Sequence, residues 1–155
     1  MADITIILES KYFDKPPNAD IYINDKLIET VKFEAADKPV SITFACELAD
    51  ANDIIIHRYG KTIFDTIVKD GNIISDQTLS INNIIVNRIP LEKLLYLGVF
   101  YPDYPEPWHT EQKELGIELP TSMTYHNKLF HNGRWILNFE MPIHVWFFNN
   151  INKEI

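Results

Sequence analysis

The sequence predicts a mainly all-β protein, an antiparallel β-sandwich or jelly roll carrying a C-terminal extension. Three observations point there. Short β-branched and aromatic runs recur at roughly ten-residue spacing, separated by turn residues. Tyr, Phe and Trp make up 12% of the 155 residues and Ile is abundant, a balance that suits pleated, half-buried surfaces. No crossover helix separates successive strand runs, so a parallel sheet has no return path.

Taken in order, Ile4 to Glu9 reads as a first strand. Lys11 to Asp20 contains Pro16-Pro17-Asn18 and reads as a surface loop. Ile21-Tyr22-Ile23 alternates faces, Asn24-Asp25 suits a tight turn, and Leu27 to Phe33 continues as the partner, making 21–33 a hairpin. Val40, Ile42, Phe44 and Cys46 fall on one face of the cleanest period-two pattern in the chain. Glu47 to Asp53 is polar and turn-like. Ile54 to Tyr59 is the next strand, stopped by Gly60. Lys61 to Val68 reads as strand or loop. Asp70-Gly71 opens a turn, and Leu79, Ile81, Ile84, Ile85 and Val86 form a strand that must bury one face.

After Leu97-Gly98 the composition changes, dividing the chain into a sandwich over 1–97 and an extension over 98–155. The segment Tyr101 to Trp108, YPDYPEPW, is rich in proline and aromatics. Its repeated Tyr-Pro steps are places for a cis bond at Pro102 or Pro105. Pro107 suits the first turn of a short helix and Gly116 its end, with Trp108, Gln112 and Leu115 between them. Asn132-Gly133 is the favoured pair for a type I′ hairpin turn between Leu129-Phe130-His131 and Arg134 to Phe139. Trp135, Leu137 and Phe139 share one strand face, as core residues do. Ile143 to Ile151 is an aromatic terminal segment.

Charge and composition exclude several functions. The formal net charge is -8 and the basic residues are scattered, which disfavours nucleic acid. No apolar stretch approaches the length of a membrane span. The start, MADITIILES, lacks the charged n-region of a signal peptide, so synthesis in a cytoplasm is expected. The single Cys46 cannot form an internal disulfide and reads as a small buried hydrophobe.

Asp70 and Asp76 are the candidate metal ligands. Two carboxylates at a strand entrance could supply part of the oxygen cage that calcium takes; the alternative is that both are turn and cap residues. The five histidines, His57, His109, His126, His131 and His144, form no HxH or HExxH pair. There is no nucleophile elbow and no Gly-rich phosphate loop, so no enzyme is expected. Glu111 and Glu114 read as a solvated helix face. Tyr101, Tyr104 and Trp108 are candidate ligand or interface residues. Sugar rings stack their apolar C–H face on such side chains, and the same residues could clamp the extension onto the sandwich or a neighbour.

Two resemblances follow from these motifs. Ile21-Tyr22-Ile23-Asn24, Asp53-Ile54-Ile55-Ile56 and Leu79 to Asn87 resemble the strand signatures of calcium-dependent xylan-binding carbohydrate-binding modules, over about residues 3–90. The resemblance implies a β-sandwich and calcium at the strand-end loop. The chain departs from it by placing Ile73, Ile74 and Gln77 where those modules set acidic and aromatic residues. The YPDYPEPW segment with the NGRW stretch resembles small structural proteins of tailed bacteriophages. That second resemblance implies a non-enzymatic virion component: a capsid decoration, tail or fibre-associated protein. Its partners would be other virion proteins or further copies of the chain, with a host glycan at the strand-end loops. The alternatives are a free calcium-dependent carbohydrate-binding module and a glycan-modifying enzyme.

Overall fold

A computed structural model describes residues 1–152. In chain order its strands are β1 (Ala2–Lys11), β2 (Asn18–Ile23), β3 (Lys26–Val31), β4 (Val40–Cys46), β5 (Ala51–Tyr59), β6 (Ile67–Lys69), β7 (Asn72–Ser75), β8 (Thr78–Val86), β9 (Ile89–Pro90), β10 (Val99–Asp103), β11 (Met123–Thr124), β12 (Lys128–Leu129) and β13 (Asn132–Glu140). Two helices, α1 (Trp108–Glu114) and α2 (Ile143–Ile151), and 3-10 turns at Ile63–Asp65 and Glu92–Leu97 join them. One antiparallel sheet runs β12-β8-β1-β4, with β9 also on β8. The other runs β11-β10-β13-β5-β2-β3, and β6 with β7 makes a separate two-stranded ribbon.

The two large sheets bury alternate side chains against each other. Ile4, Ile6 and Leu8 of β1 point inward beside Leu79 and Ile81 of β8. A bulge follows: Ile7 pairs with Asn83 but Leu8 with Ile81, leaving Asn82 as the extra residue. The bulge resets the alternation, so Ile81 and Ile84 both reach the core although three residues apart. Ile21, Ile54, Ile56, Phe100, Trp135 and Leu137 face them from the second sheet. Each such burial is worth about 1.5–3 kcal/mol. Trp146 of α2 packs edge-on to Phe139 at 6.3 Å and closes one end.

Local turn chemistry places the hairpins. Asn24 and Asp25 have φ of 49° and 66°, and Asp70 and Gly71 have 53° and 79°. Both are two-residue connections with positive φ throughout, the type I′ geometry whose twist matches the strands it joins. Asn87 and Arg88 make a third, with φ of 47° and 69°.

Several expectations are corrected. Asn132-Gly133 is not a turn: both residues lie in β13, where Gly133 pairs with Pro102 on one side and Arg58 on the other. Glycine is required there because a Cβ would sit 2.3 Å from the Tyr101 carbonyl oxygen. Residues 128–129 pair with β8 in the other sheet instead. The loop after β1 is shorter than expected, since β2 starts at Asn18. The cis bonds precede Pro107 and Pro142, not Pro102 or Pro105. Cys46 is half-buried and packs at the core's margin. Helix α1 has no buried residue, and Leu115 beyond it is exposed. The composition change at residue 98 is not a break in the sheet, because β13 stands between β10 and β5. The last three residues of the expected extension, 153–155, lie outside those described.

Candidate binding site

The site is built on an arginine inside the sandwich. Arg58 follows Ile54 and Ile56 on the inward face of β5 and is wholly buried. Its Nη1 donates to the Leu129 carbonyl at 2.7 Å, and its Nη2 donates to the Gln77 carbonyl at 2.6 Å and Gln77 Oε1 at 2.9 Å. Burial lowers its pKa to about 10, with the carboxylates of Asp76 and Asp65 opposing, so it stays charged at neutral pH. The same residue therefore ties the entry of β8 to the β12 end in one sheet while belonging to the other. A hydrogen bond to a charged group contributes more than a neutral one.

Two carboxylates lie near this guanidinium. Asp65 is almost fully buried; its Oδ2 accepts from Thr62 N at 2.8 Å and lies 3.5 Å from Lys15 Nζ. Asp76 Oδ1 accepts from Thr66 Oγ1 at 2.6 Å, from Gln77 N at 2.8 Å and from Lys61 Nζ at 2.7 Å. Burial alone would raise the Asp76 carboxyl, but the hydrogen bonds of Lys61 and Thr66, with the charge of Lys61, bring it below its usual value. Lys61 also donates to the Phe130 carbonyl at 2.6 Å.

The two expected metal ligands therefore part. Asp70 sits exposed in the tip of the β6–β7 ribbon, while Asp76 lies at its base with a lysine already on it. Calcium takes six to eight oxygens, several of them anionic. Among the described residues, no three acidic, histidine or cysteine side chains converge. An ammonium at 2.7 Å from Asp76 occupies the ground a cation would need, so these donors do not fit a calcium cage.

An aromatic wall stands across from the ribbon. Trp108, the first residue of α1, stacks on the His131 ring at 6.0 Å and 22°. Tyr104 meets His131 edge-on at 5.1 Å and Trp108 at 5.9 Å, and its hydroxyl donates to the Pro120 carbonyl at 2.6 Å. Desolvation, then the charges of Lys61 and Arg58, lower the His131 pKa, so the stacked ring is neutral at pH 7. Tyr101 does not join this group. It is exposed in β10 opposite Arg134.

Between ribbon and wall lies a cleft of about 630 Å³. Ile63, Val68 and Ile73 line it together with Trp108, Phe130 and His131. Lys61 and Asp76 reach it as an ion pair, and His126 lines it too. Size, apolar walls and a few convergent polar groups are those of a small-molecule or oligosaccharide site.

Of the expected ligand residues, Trp108 lines the cleft and Tyr104 braces it from behind. Sequence reading missed Arg58, Lys61 and Phe130. Arg58 carried a signal: the period of two places it on the face of Ile54 and Ile56, where an arginine must find partners. Lys61 and Phe130 carried none, because their partners are distant in the chain.

No protein-family model and no curated protein matches this chain. Solved structures do. One is vCBM60 in its selenomethionine form, the subject of a circular-permutation link between two families of calcium-dependent carbohydrate-binding modules. It shares 10% identity at a TM-score of 0.56, covering 88% of this chain and 89% of that one. Another is vCBM60 in complex with galactobiose, at 10% identity and a TM-score of 0.55, over 86% of this chain and 95% of that one. The fold is thus the β-sandwich seen in those carbohydrate-binding modules. Neither likeness bears on a phage origin.

Proposed function

We infer that this chain is a non-catalytic carbohydrate-binding module whose ligand lies in the cleft between the β6–β7 ribbon and Trp108. The observation that carries the reading is the half-buried Trp108 face, paired with His131 and set opposite apolar side chains on a fold shared with vCBM60. A pyranose ring offers an apolar C–H face to such an indole and hydroxyls to its rim. Lys61 already neutralises Asp76 at 2.7 Å, so this reading calls for binding that needs no calcium. The test is affinity electrophoresis on a panel of polysaccharides, with and without chelator. Retention that Trp108→Ala abolishes, while the unfolding midpoint stays put, supports the reading. Retention untouched by Trp108→Ala, or lost with chelator, sinks this site.

A second reading is the structural component of a phage particle implied by YPDYPEPW. It is favoured by the exposed apolar ribbon, where Val68, Ile73 and Ile74 face solvent beside Phe64 of the preceding turn. Apolar patches of this kind mark interaction surfaces. Partners would then be other virion proteins or further copies of the chain. Sedimentation of the purified protein separates the two: a strict monomer at high concentration counts against assembly.

A further inference from the structure

The ionisable lining of the cleft runs against the charge of the whole chain. The chain carries 22 acidic and 14 basic side chains. Along the lining of the cleft that balance reverses. The cleft takes Lys61 and Lys128, with Asp76 as its one carboxylate. An adjoining hollow of about 270 Å³ adds Lys11 and shares Lys128, Asp76, Ile73 and Phe130. Asp76 is matched by Lys61 at 2.7 Å, which leaves the other two lysines in excess.

Strand register holds those two near each other. Lys11 lies opposite Thr78 and Lys128 opposite Ser80, on either side of β8. Both are exposed, and among the described residues neither pairs with a carboxylate. Glu9 shares the row of Ser80, and the hydrogen bond it accepts from Asn82 Nδ2 at 3.3 Å does not cancel its charge, but it lines neither the cleft nor the hollow. Basic side chains along a groove with apolar walls concentrate an anionic ligand there even when the whole molecule is acidic.

We propose that the cleft and the adjoining hollow select an anionic glycan, with a pyranose ring on Trp108 and Phe130 and its carboxylate or sulfate groups at Lys128 and Lys11. The proposal rests on the glycan-binding reading above and adds the substrate class. A nucleic acid, charged at every nucleotide, would meet the repulsion of a chain at -8 beyond this one patch.

The experiment is affinity electrophoresis of the full chain against neutral and acidic pairs: xylan and glucuronoxylan, galactan and polygalacturonate, dextran and dextran sulfate. A single-stranded RNA serves as a further polyanion. The acidic member of a pair is expected to retain the protein more strongly, and added salt to weaken that retention. Lys11→Gln and Lys128→Gln are each expected to weaken it roughly two- to fivefold, the range of exposed charge pairs. Neither should move the unfolding midpoint, and each should weaken retention by the acidic member of a pair more than by the neutral one. Retention by carboxylated or by sulfated chains alone identifies the anionic group and supports the proposal. Equal retention of neutral and acidic members, or indifference to both substitutions, overturns the anionic preference and leaves the module reading intact. Tighter retention by RNA than by any glycan overturns it in favour of nucleic acid. No retention by any polysaccharide removes both readings.

Discussion

The guanidinium of Arg58 donates to the main-chain carbonyl of Gln77 at 2.6 Å and to its side-chain oxygen at 2.9 Å, with both residues almost wholly buried. Gln77 in turn donates from Nε2 to the Lys15 carbonyl at 3.0 Å. The pair joins β5 of one sheet to the residue that enters β8 of the other. Arg58→Ala leaves these buried oxygens, and the Leu129 carbonyl, without their donor. It should cost about 3–5 kcal/mol in denaturant unfolding. A loss below about 1 kcal/mol would show that the buried network does not hold the fold.

Gly133 and Gly71 separate a clash from a strained backbone. A Cβ at Gly133 meets the Tyr101 carbonyl oxygen at 2.3 Å with φ at 150°, whereas a Cβ at Gly71 meets nothing within 4 Å at φ 79°. Gly133→Ala should destabilise by about 2–3 kcal/mol and Gly71→Ala by about 1 kcal/mol. Equal losses in thermal unfolding would refute the close β10–β13 approach as the reason for this glycine.

Calcium should leave the unfolding midpoint unchanged. A ligand that binds only the native state raises stability with concentration, by about 2.7 kcal/mol at a hundred times its dissociation constant. With Lys61 on Asp76, no such gain is expected at millimolar calcium. A rise that Asp76→Asn abolishes would restore the calcium site first expected at Asp70 and Asp76.

Lys61→Met tests the same pair from the other side. The folded Asp76 pKa is depressed, so its contribution is present above the ordinary carboxylate value of about 3.9 and is lost as pH falls through the lower folded value. Without the lysine, burial dominates and that carboxyl moves up. The variant should lose stability at neutral pH and lose less on acidification than the parent. Parallel pH profiles for the two proteins, from urea midpoints, would exclude the pair as the cause.

His131 and His57 give a second pH window. Burial first, then positive neighbours, lower both pKa values: Lys61 and Arg58 for His131, Arg134 for His57. Asp76 opposes the shift at His131, and Asp20 and Asp103 oppose it at His57. The unfolded chain therefore binds more protons just below the ordinary histidine value of about 6.5, and stability falls as pH drops through it. His131→Gln should flatten part of that fall between pH 7 and 5. Titration of the His131 ring by NMR above 6.5 would contradict the burial of this imidazole against Trp108.

The class of fold was legible because it is written locally. Ile4, Ile6 and Leu8, or Trp135, Leu137 and Phe139, declare a buried face by a period of two within a single strand. Asn24-Asp25 and Asp70-Gly71 declare their turns by needing positive φ. Asn132-Gly133 shows the limit of that reading. The same dipeptide chemistry serves a strand when a neighbouring backbone comes within reach, and Asn132 spends its side chain on the Lys61 N–H and carbonyl at 2.9 and 3.1 Å.

The candidate site belongs to the other category. Arg58 meets Gln77 and Leu129 across 19 and 71 residues, and Lys61 meets Phe130 across 69. Asp76 reads in the sequence as one of two metal ligands, whereas its lysine partner, fifteen residues away, is set only by how the ends of β5 and β8 meet. The sequence alone determined alternation and turns, because side-chain direction in a strand is set by its nearest neighbours. Which charges meet, and which aromatic faces remain open, only the tertiary structure decided, because burial and Coulomb interactions depend on distance in space.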